Sequence, residues 1–381
     1  MIDSPLIHGL LNDRYYHVEL PGSVTNHAKY AVIALAGLGV PGSDIKAYYD
    51  DYSQTKRTPV GFGLEPARSS ALEISEANWA DFLGKRSDYA AYCEFFDRQI
   101  QELGLDEVLR RYMPTLLPAW IGSFTHAGIH LGWGLDANND CMIAEGLAYL
   151  AFSYIFWYPD RSEPVADDGQ AVESLLRIAE AWETDDALRN ELGALFAGLA
   201  PGRAGIVPRI SRLLEHGRPM IDQFPSWIYD RDVRGSWDQL HYLVALLYLA
   251  KPGNFFILHL VTSLHAMEQI SDRLPADQQR SAIKCYWLGM LSILLSGALL
   301  PSRSRLAMLD AAYQNAIDPE EADWEQTVAR AIAAEEEHNP KMVYVLRGMW
   351  RRAGRRTVYR DAAVNFTTTP EPFTSLDMET G

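Results

Sequence analysis

Trp120-Ile-Gly-Ser-Phe-Thr-His126-Ala-Gly-Ile-His130-Leu-Gly-Trp-Gly-Leu135 places two histidines four residues apart inside an apolar, aromatic run. At about 100° per residue, four steps leave the two rings roughly 40° apart on a helix. His126 and His130 then leave one face a turn apart, the spacing with which a helix offers two imidazoles to a metal. The flanking residues are not those of a wetted surface, so something buried must satisfy both rings. A metal does so, and so do hydrogen-bonded core partners. The spacing alone admits both.

Outward from this stretch, nearly everything has helical spacing of apolar residues. Helices are predicted over 76–84, 87–112, 115–134, 140–157, 168–182, 185–198, 204–216, 236–250, 254–272, 277–299, 303–316, 320–337 and 340–352. Runs of alternating β-branched residues are almost absent. The expectation is an all-α protein, one large multi-helix domain over 1–365 with residues 1–23 irregular and a loosely ordered tail over 366–381. No fixed-period repeat is present, and the Pro-rich loop 159–166 is the best candidate boundary.

The composition is 48% hydrophobic and 22% charged, ordinary for a globular chain of 381 residues, with ten Trp and nineteen Tyr. A net charge of −16 argues against nucleic acid or an anionic membrane as partner. Cys93, Cys141 and Cys285 have no metal-ligand spacing and read as reduced thiols of a cytoplasmic protein. The N-terminus lacks the basic start and apolar core of a signal peptide. Cys285–Leu300, the longest near-apolar run, is interrupted by Ser292 and Ser296 and is too short to span a bilayer.

Gly37-Leu38-Gly39-Val40-Pro41-Gly42 matches a dinucleotide-binding fingerprint letter for letter, but no second strand follows at the needed distance. These glycines read instead as the end of a helix that Thr25 or Asn26 caps and that runs through His27. His259 and His265 are six residues apart, about 120° around a helix, so one straight helix aims at most one of them at a given metal. In Glu335-Glu-Glu-His338-Asn-Pro-Lys341, Asn339 and Pro340 form a helix-start signal that leaves Lys341 in the first turn, where the helix dipole disfavours a cation. Pairing with Glu335, Glu336 or Glu337 is the plain account of that lysine.

Asn26-His27, Tyr48-Tyr49 with Tyr52, Phe124-Thr-His126-Ala-Gly-Ile-His130-Leu-Gly, Leu258-His259 through His265-Ala266, and His338-Asn-Pro-Lys341, in that order, resemble the questin oxidase-like family over roughly residues 20–355. The resemblance implies an all-α oxygenase that uses O2 to oxidise or cleave a ring of an aromatic or quinone substrate of polyketide type. It implies a mononuclear Fe(II) held by His27, His126, His338, one of His265 and His259 (His265 preferred), and a carboxylated Lys341. Carboxylation turns the first-turn cation into an anion with oxygen donors. His130 is then the candidate catalytic acid or base. NADPH enters, if at all, as an external reductant. A second copy of the chain, as a homodimer, is compatible with this reading. The rival readings are a metal-free, NADPH-dependent Baeyer–Villiger-type monooxygenase and a helical binding protein with structural histidines.

Overall fold

The computed structural model describes residues 2, 4–20, 24–54, 64–67, 69–155, 164–166, 168–200, 205–217, 223–318, 320–334 and 336–368. The fold is all-α. Its helices are α1 (Pro5–Leu11), α2 (Ala28–Gly37), α3 (Gly42–Gln54), α4 (Tyr89–Leu103), α5 (Leu105–Leu116), α6 (His126–Asp136), α7 (Asp140–Phe152), α8 (Ala171–Thr184) and α9 (Asp186–Leu195). They continue with α10 (Ile206–His216), α11 (Trp227–Asp230), α12 (Val233–Ala250), α13 (Phe255–Arg273), α14 (Ala276–Ser296), α15 (Arg303–Tyr313), α16 (Glu325–Ala333), α17 (His338–Arg352) and α18 (Thr357–Thr368). The only strands among the described residues are minimal. β1 (Glu19–Leu20) pairs antiparallel with β2 (Val24–Thr25), and β3 (Pro164–Ala166) pairs parallel with β4 (Phe224–Pro225).

Two compact units make up the chain, each assembled from three stretches. The first comprises Met1–Ile155, His265–Pro275 and Val328–Tyr344; the second comprises Phe156–Leu264, Ala276–Thr327 and Val345–Gly381. Of the expected boundary loop 159–166, only β3 lies among the described residues. In the first unit α6 and α7 are apolar all round and buried along almost their whole length, as central helices of a core are. The second unit packs Trp227 edge-on to Trp287, with ring centroids 5.5 Å apart, in a dry interior. No helix among the described residues is long and apolar enough to cross a membrane. All three cysteines are free thiols.

Several sequence expectations are corrected, and the helix predicted over 87–112 is two, α4 and α5, parted at Gly104 with φ +80°. Residues 1–23 are not all irregular, because Ser4 accepts from the Ile7 N–H and Pro5 fills the first helical position, starting α1. The helix expected over 115–134 is broken: α5 ends at Leu116, a 3-10 turn covers Leu117–Ile121, and α6 begins at His126. α17 begins at His338 rather than after an Asn339 cap; the Glu336 carboxylate accepts from the His338 N–H at 3.0 Å and the Asn339 amide at 3.2 Å. α18 runs to Thr368 with Phe366 buried, past the expected start of the tail, and residues 369–381 lie outside the described residues.

The glycine-rich segment closes α2 as expected. Gly39, at φ +91°, takes the left-handed position that ends the helix, and the Val40 N–H reaches back to the Leu35 carbonyl at 3.0 Å. Gly132 has a different reason. A Cβ there would stand 2.3 Å from the Ala266 carbonyl oxygen, so α6 and the His265–Pro275 stretch touch backbone to backbone. Gly132→Ala should therefore lower stability by about 1–3 kcal/mol through overpacking. Gly193→Ala, exposed in α9 with nothing within 4 Å of a new Cβ, should raise it by up to about 1 kcal/mol. Thermal unfolding of the two variants checks both signs.

Candidate active site

The first unit gathers His27, His126, His338 and Lys341 from three helix beginnings. Asn26 supplies the first N-terminal bond of α2, its Oδ1 accepting from the Ala28 N–H at 3.1 Å, which spares the His27 ring from capping. His27 Nε2 faces His126 Nε2 at 3.0 Å. On its other side, His27 Nδ1 lies 2.9 Å from Lys341 Nζ and 3.2 Å from Glu337 Oε1. The His338 ring packs edge-on to His27 at a centroid distance of 4.7 Å, and a ring nitrogen of each lies within 4.8 Å of the other. All are buried: His338 is 1% exposed, Lys341 and Glu337 3%.

His126 is presented by an unusual turn. Ser123, Phe124 and Thr125 all have positive φ (48°, 51° and 69°), three consecutive residues with a Cβ in the left-handed region. Such conformations are costly and persist only where the surroundings over-determine them. Their effect is to aim the Ser123 carbonyl at His126 Nδ1, 2.8 Å away. A carbonyl only accepts, so Nδ1 carries the proton and Nε2 the lone pair. His338 Nδ1 is likewise engaged, by the Glu336 carboxylate.

Charge in this place is strongly perturbed. Burial pushes the Lys341 amine down to about 8, against the pull of Glu337 and Glu336. Burial raises the Glu336 carboxyl to about 7, and burial together with Glu336 raises Glu337 as well. The Glu337 Oε1 atom accepts no hydrogen bond among the described residues. Pairing of Lys341 with this acidic cluster, the plain sequence reading, is present as electrostatics; Glu335 lies outside the described residues.

His130 goes elsewhere. Although it shares α6 with His126, its Nδ1 meets the Tyr30 hydroxyl at 2.9 Å and its Nε2 meets Glu145 at 3.2 Å. Lys29 Nζ lies 2.5 Å from the same carboxylate oxygen. Burial opposes ionisation of Glu145, but Lys29 and His130 outweigh it and hold the carboxyl down to about 2. Burial lowers the His130 ring despite Glu145. The i, i+4 pair thus serves two partners rather than one.

His265 also has its own partner, Asp136, with Nε2 to Oδ2 at 3.1 Å, and the Tyr344 hydroxyl donates to that oxygen at 2.8 Å. His259, in the second unit, holds its Nδ1 2.8 Å from its own Phe255 carbonyl, so Nε2 carries the lone pair. Sequence reasoning missed Lys29, Tyr30 and Glu145. Their signal was available: Lys29 sits in the apolar α2 and Glu145 in the apolar α7, and each buried charge requires the other.

A model of the questin oxidase-like family matches residues 24–346. A Baeyer–Villiger oxidase of Paecilomyces divaricatus is 30% identical over 135 residues, covering 33% of this chain and 28% of the relative. The questin oxidase of Aspergillus terreus is 22% identical over 219 residues, covering 53% of this chain and 47% of the relative. A Baeyer–Villiger monooxygenase of Aspergillus aculeatus is 24% identical over 174 residues, covering 44% and 33%. The chain spans less than half the length of each of these curated relatives.

The Glu145 cluster yields a pH prediction. Its carboxyl lies lower in the folded state, so its stabilisation is complete above the unfolded value near 4.5 and is lost as pH falls through about 2. Between pH 6 and pH 3, wild type should lose on the order of 2 kcal/mol more stability than Glu145→Gln. Urea unfolding at pH 6, 4 and 3 measures it, and parallel losses in the two proteins would contradict it.

Proposed function

The chain belongs to the questin oxidase-like family, and on that premise we propose that it is an oxidoreductase, an Fe(II)-dependent oxygenase acting with O2 on an aromatic or quinone substrate of polyketide type. The observation that carries the metal is the 3.0 Å between His27 Nε2 and His126 Nε2. Two imidazole nitrogens bound at about 2.1 Å and at a right angle to one cation stand about 3.0 Å apart. The donor set also suits iron, being imidazole with carboxylate-type oxygen. The engaged Nδ1 atoms of His126 and His338 are the outer bonds that leave Nε2 to ligate. Glu337 Oε1, which accepts no hydrogen bond among the described residues, fits a nearby cation as well.

We therefore assign His27, His126, His338 and Lys341 to the metal. His265 Nε2 is held by Asp136. Lys341 serves as a carbamate: carbon dioxide adds to its neutral amine, and the released proton passes to a neighbouring base. Iron held there supplies the electrons that let dioxygen, spin-forbidden toward closed-shell organics, react. The protein's own proton chemistry runs through Tyr30 and His130. With Glu145 ionised and taking the Nε2 proton, His130 Nδ1 is a base toward the Tyr30 hydroxyl.

One observation favours a metal-free monooxygenase, with NADPH as reductant. Lys341 Nζ, His27 and His126 also form a consistent hydrogen-bond chain ending on the Ser123 carbonyl, without a cation. Metal analysis separates the readings. Purified protein should carry about one iron per chain, lost on dialysis from His126→Ala and His338→Ala. Full iron retained in both variants, or NADPH-driven turnover by iron-free protein, would reject the metal reading.

His265→Ala should lose about 1–3 kcal/mol of stability, because Asp136 then keeps only the Tyr344 hydroxyl. Lys341→Ala should lose iron and activity, with partial iron binding restored in Lys341→Glu. Bicarbonate should aid reconstitution of wild type only.

A further inference from the structure

Glu19 lies outside every motif considered so far, yet one hydrogen-bond path runs from its carboxylate to the turn that holds His126, and another to Thr25, two residues before His27. The first goes to His126. Glu19 Oε1 accepts from the Ser123 hydroxyl at 2.6 Å, and Ser123 opens the left-handed turn whose carbonyl holds His126 Nδ1 at 2.8 Å. The second goes to Thr25. The same Oε1 accepts from the Tyr149 hydroxyl at 3.1 Å, and that hydroxyl meets Thr25 Oγ1 at 2.9 Å, two residues before His27. Backbone pairing reinforces this path: Glu19 on β1 is the register partner of Thr25 on β2. Arg86 clamps the hub from the far side, paired to Glu19 Oε2 and reaching Ser123 Oγ at 3.1 Å.

A partly exposed Arg–Glu pair by itself would hold a surface loop and be worth little. Two features set this one apart. Its carboxylate is nearly buried, with the side chain 9% exposed. It also bonds the first of three strained residues, whose geometry needs outside support.

We propose that Glu19 is a positioning residue that fixes both the tautomer of His126 and the 3.0 Å approach of His27 to it. By anchoring Ser123, Glu19 keeps that carbonyl on Nδ1 and so leaves the lone pair on Nε2. Through Tyr149 and Thr25 it sets where α2 begins, and with it the His27 ring. The inference deepens the metal reading above, since outer bonds of this kind tune a ligand's basicity and orientation. Its first test needs no metal.

Nitrogen-15 imidazole spectra of the metal-free protein report the tautomer of each histidine directly. Wild type should show His126 protonated at Nδ1. Glu19→Ala should lose that single tautomer and give a mixture with the Nε2–H form, while His265, held by Asp136, keeps its wild-type signal. Glu19→Gln retains an acceptor for Ser123 and Tyr149 and should restore most of the His126 signal, which a purely structural loss would not allow. Ser123→Ala cuts the link while leaving Glu19 and Arg86 in place, and it should reproduce the Glu19→Ala spectrum. In a second readout, Fe(II) titration, Glu19→Ala and Ser123→Ala should bind about 10–100-fold more weakly than wild type.

A folded Glu19→Ala or Ser123→Ala protein with His126 still wholly Nδ1-protonated would overturn the proposal. So would equal disturbance of His126 and His265. A wild type that shows the expected tautomer but binds no iron would instead sink the metal reading and leave the positioning role standing.

Discussion

Two imidazole nitrogens facing each other at 3.0 Å, out of reach of water, are the constraint on which the first unit depends. Neither ring can be left with opposed lone pairs in a dry interior, so a proton or a cation must lie between them. Everything around the pair bears on that choice. The Ser123 carbonyl denies His126 the tautomer that would donate from Nε2. Lys341 and Glu337 compete for the other nitrogen of His27.

The unit bears several liabilities at once: three left-handed residues in a row, a lysine whose amine is pushed down to about 8, and two adjacent buried carboxyls raised by burial. A chain selected for stability alone would replace these with apolar side chains of similar size. Strain and perturbed ionisation coincide at functional sites because pre-organisation is what they provide. By contrast, the Lys29–Glu145–His130 cluster is fully compensated. It secures α2 to α7 and orients Tyr30 without unsatisfied charge.

Helical class was legible because apolar spacing in α4, α8 and α10 follows the helical period closely, and the glycine-rich end of α2 was legible from its chemistry. The 120–135 stretch misled in one respect. Its period suggested a continuous helix with both histidines on a shared target, whereas His126 is the first residue of α6 and its ring follows the turn before it. No residue type in Ser123-Phe-Thr125 announces a left-handed run, since the conformation is imposed by tertiary bonds from Glu19 and Arg86. The same holds for Lys341, whose oddness in a first turn was visible but whose contact with His27 spans 314 residues of sequence. The His265–Asp136 contact is one that no spacing rule points to.

The most direct test of the central claim is an anomalous difference map at the iron absorption edge from crystals grown with Fe(II) under argon. The account predicts one strong peak bonded to Nε2 of both His27 and His126, with His338 and a carbamate on Lys341 in its shell. No peak between His27 and His126, with their nitrogens still 3.0 Å apart, would contradict it.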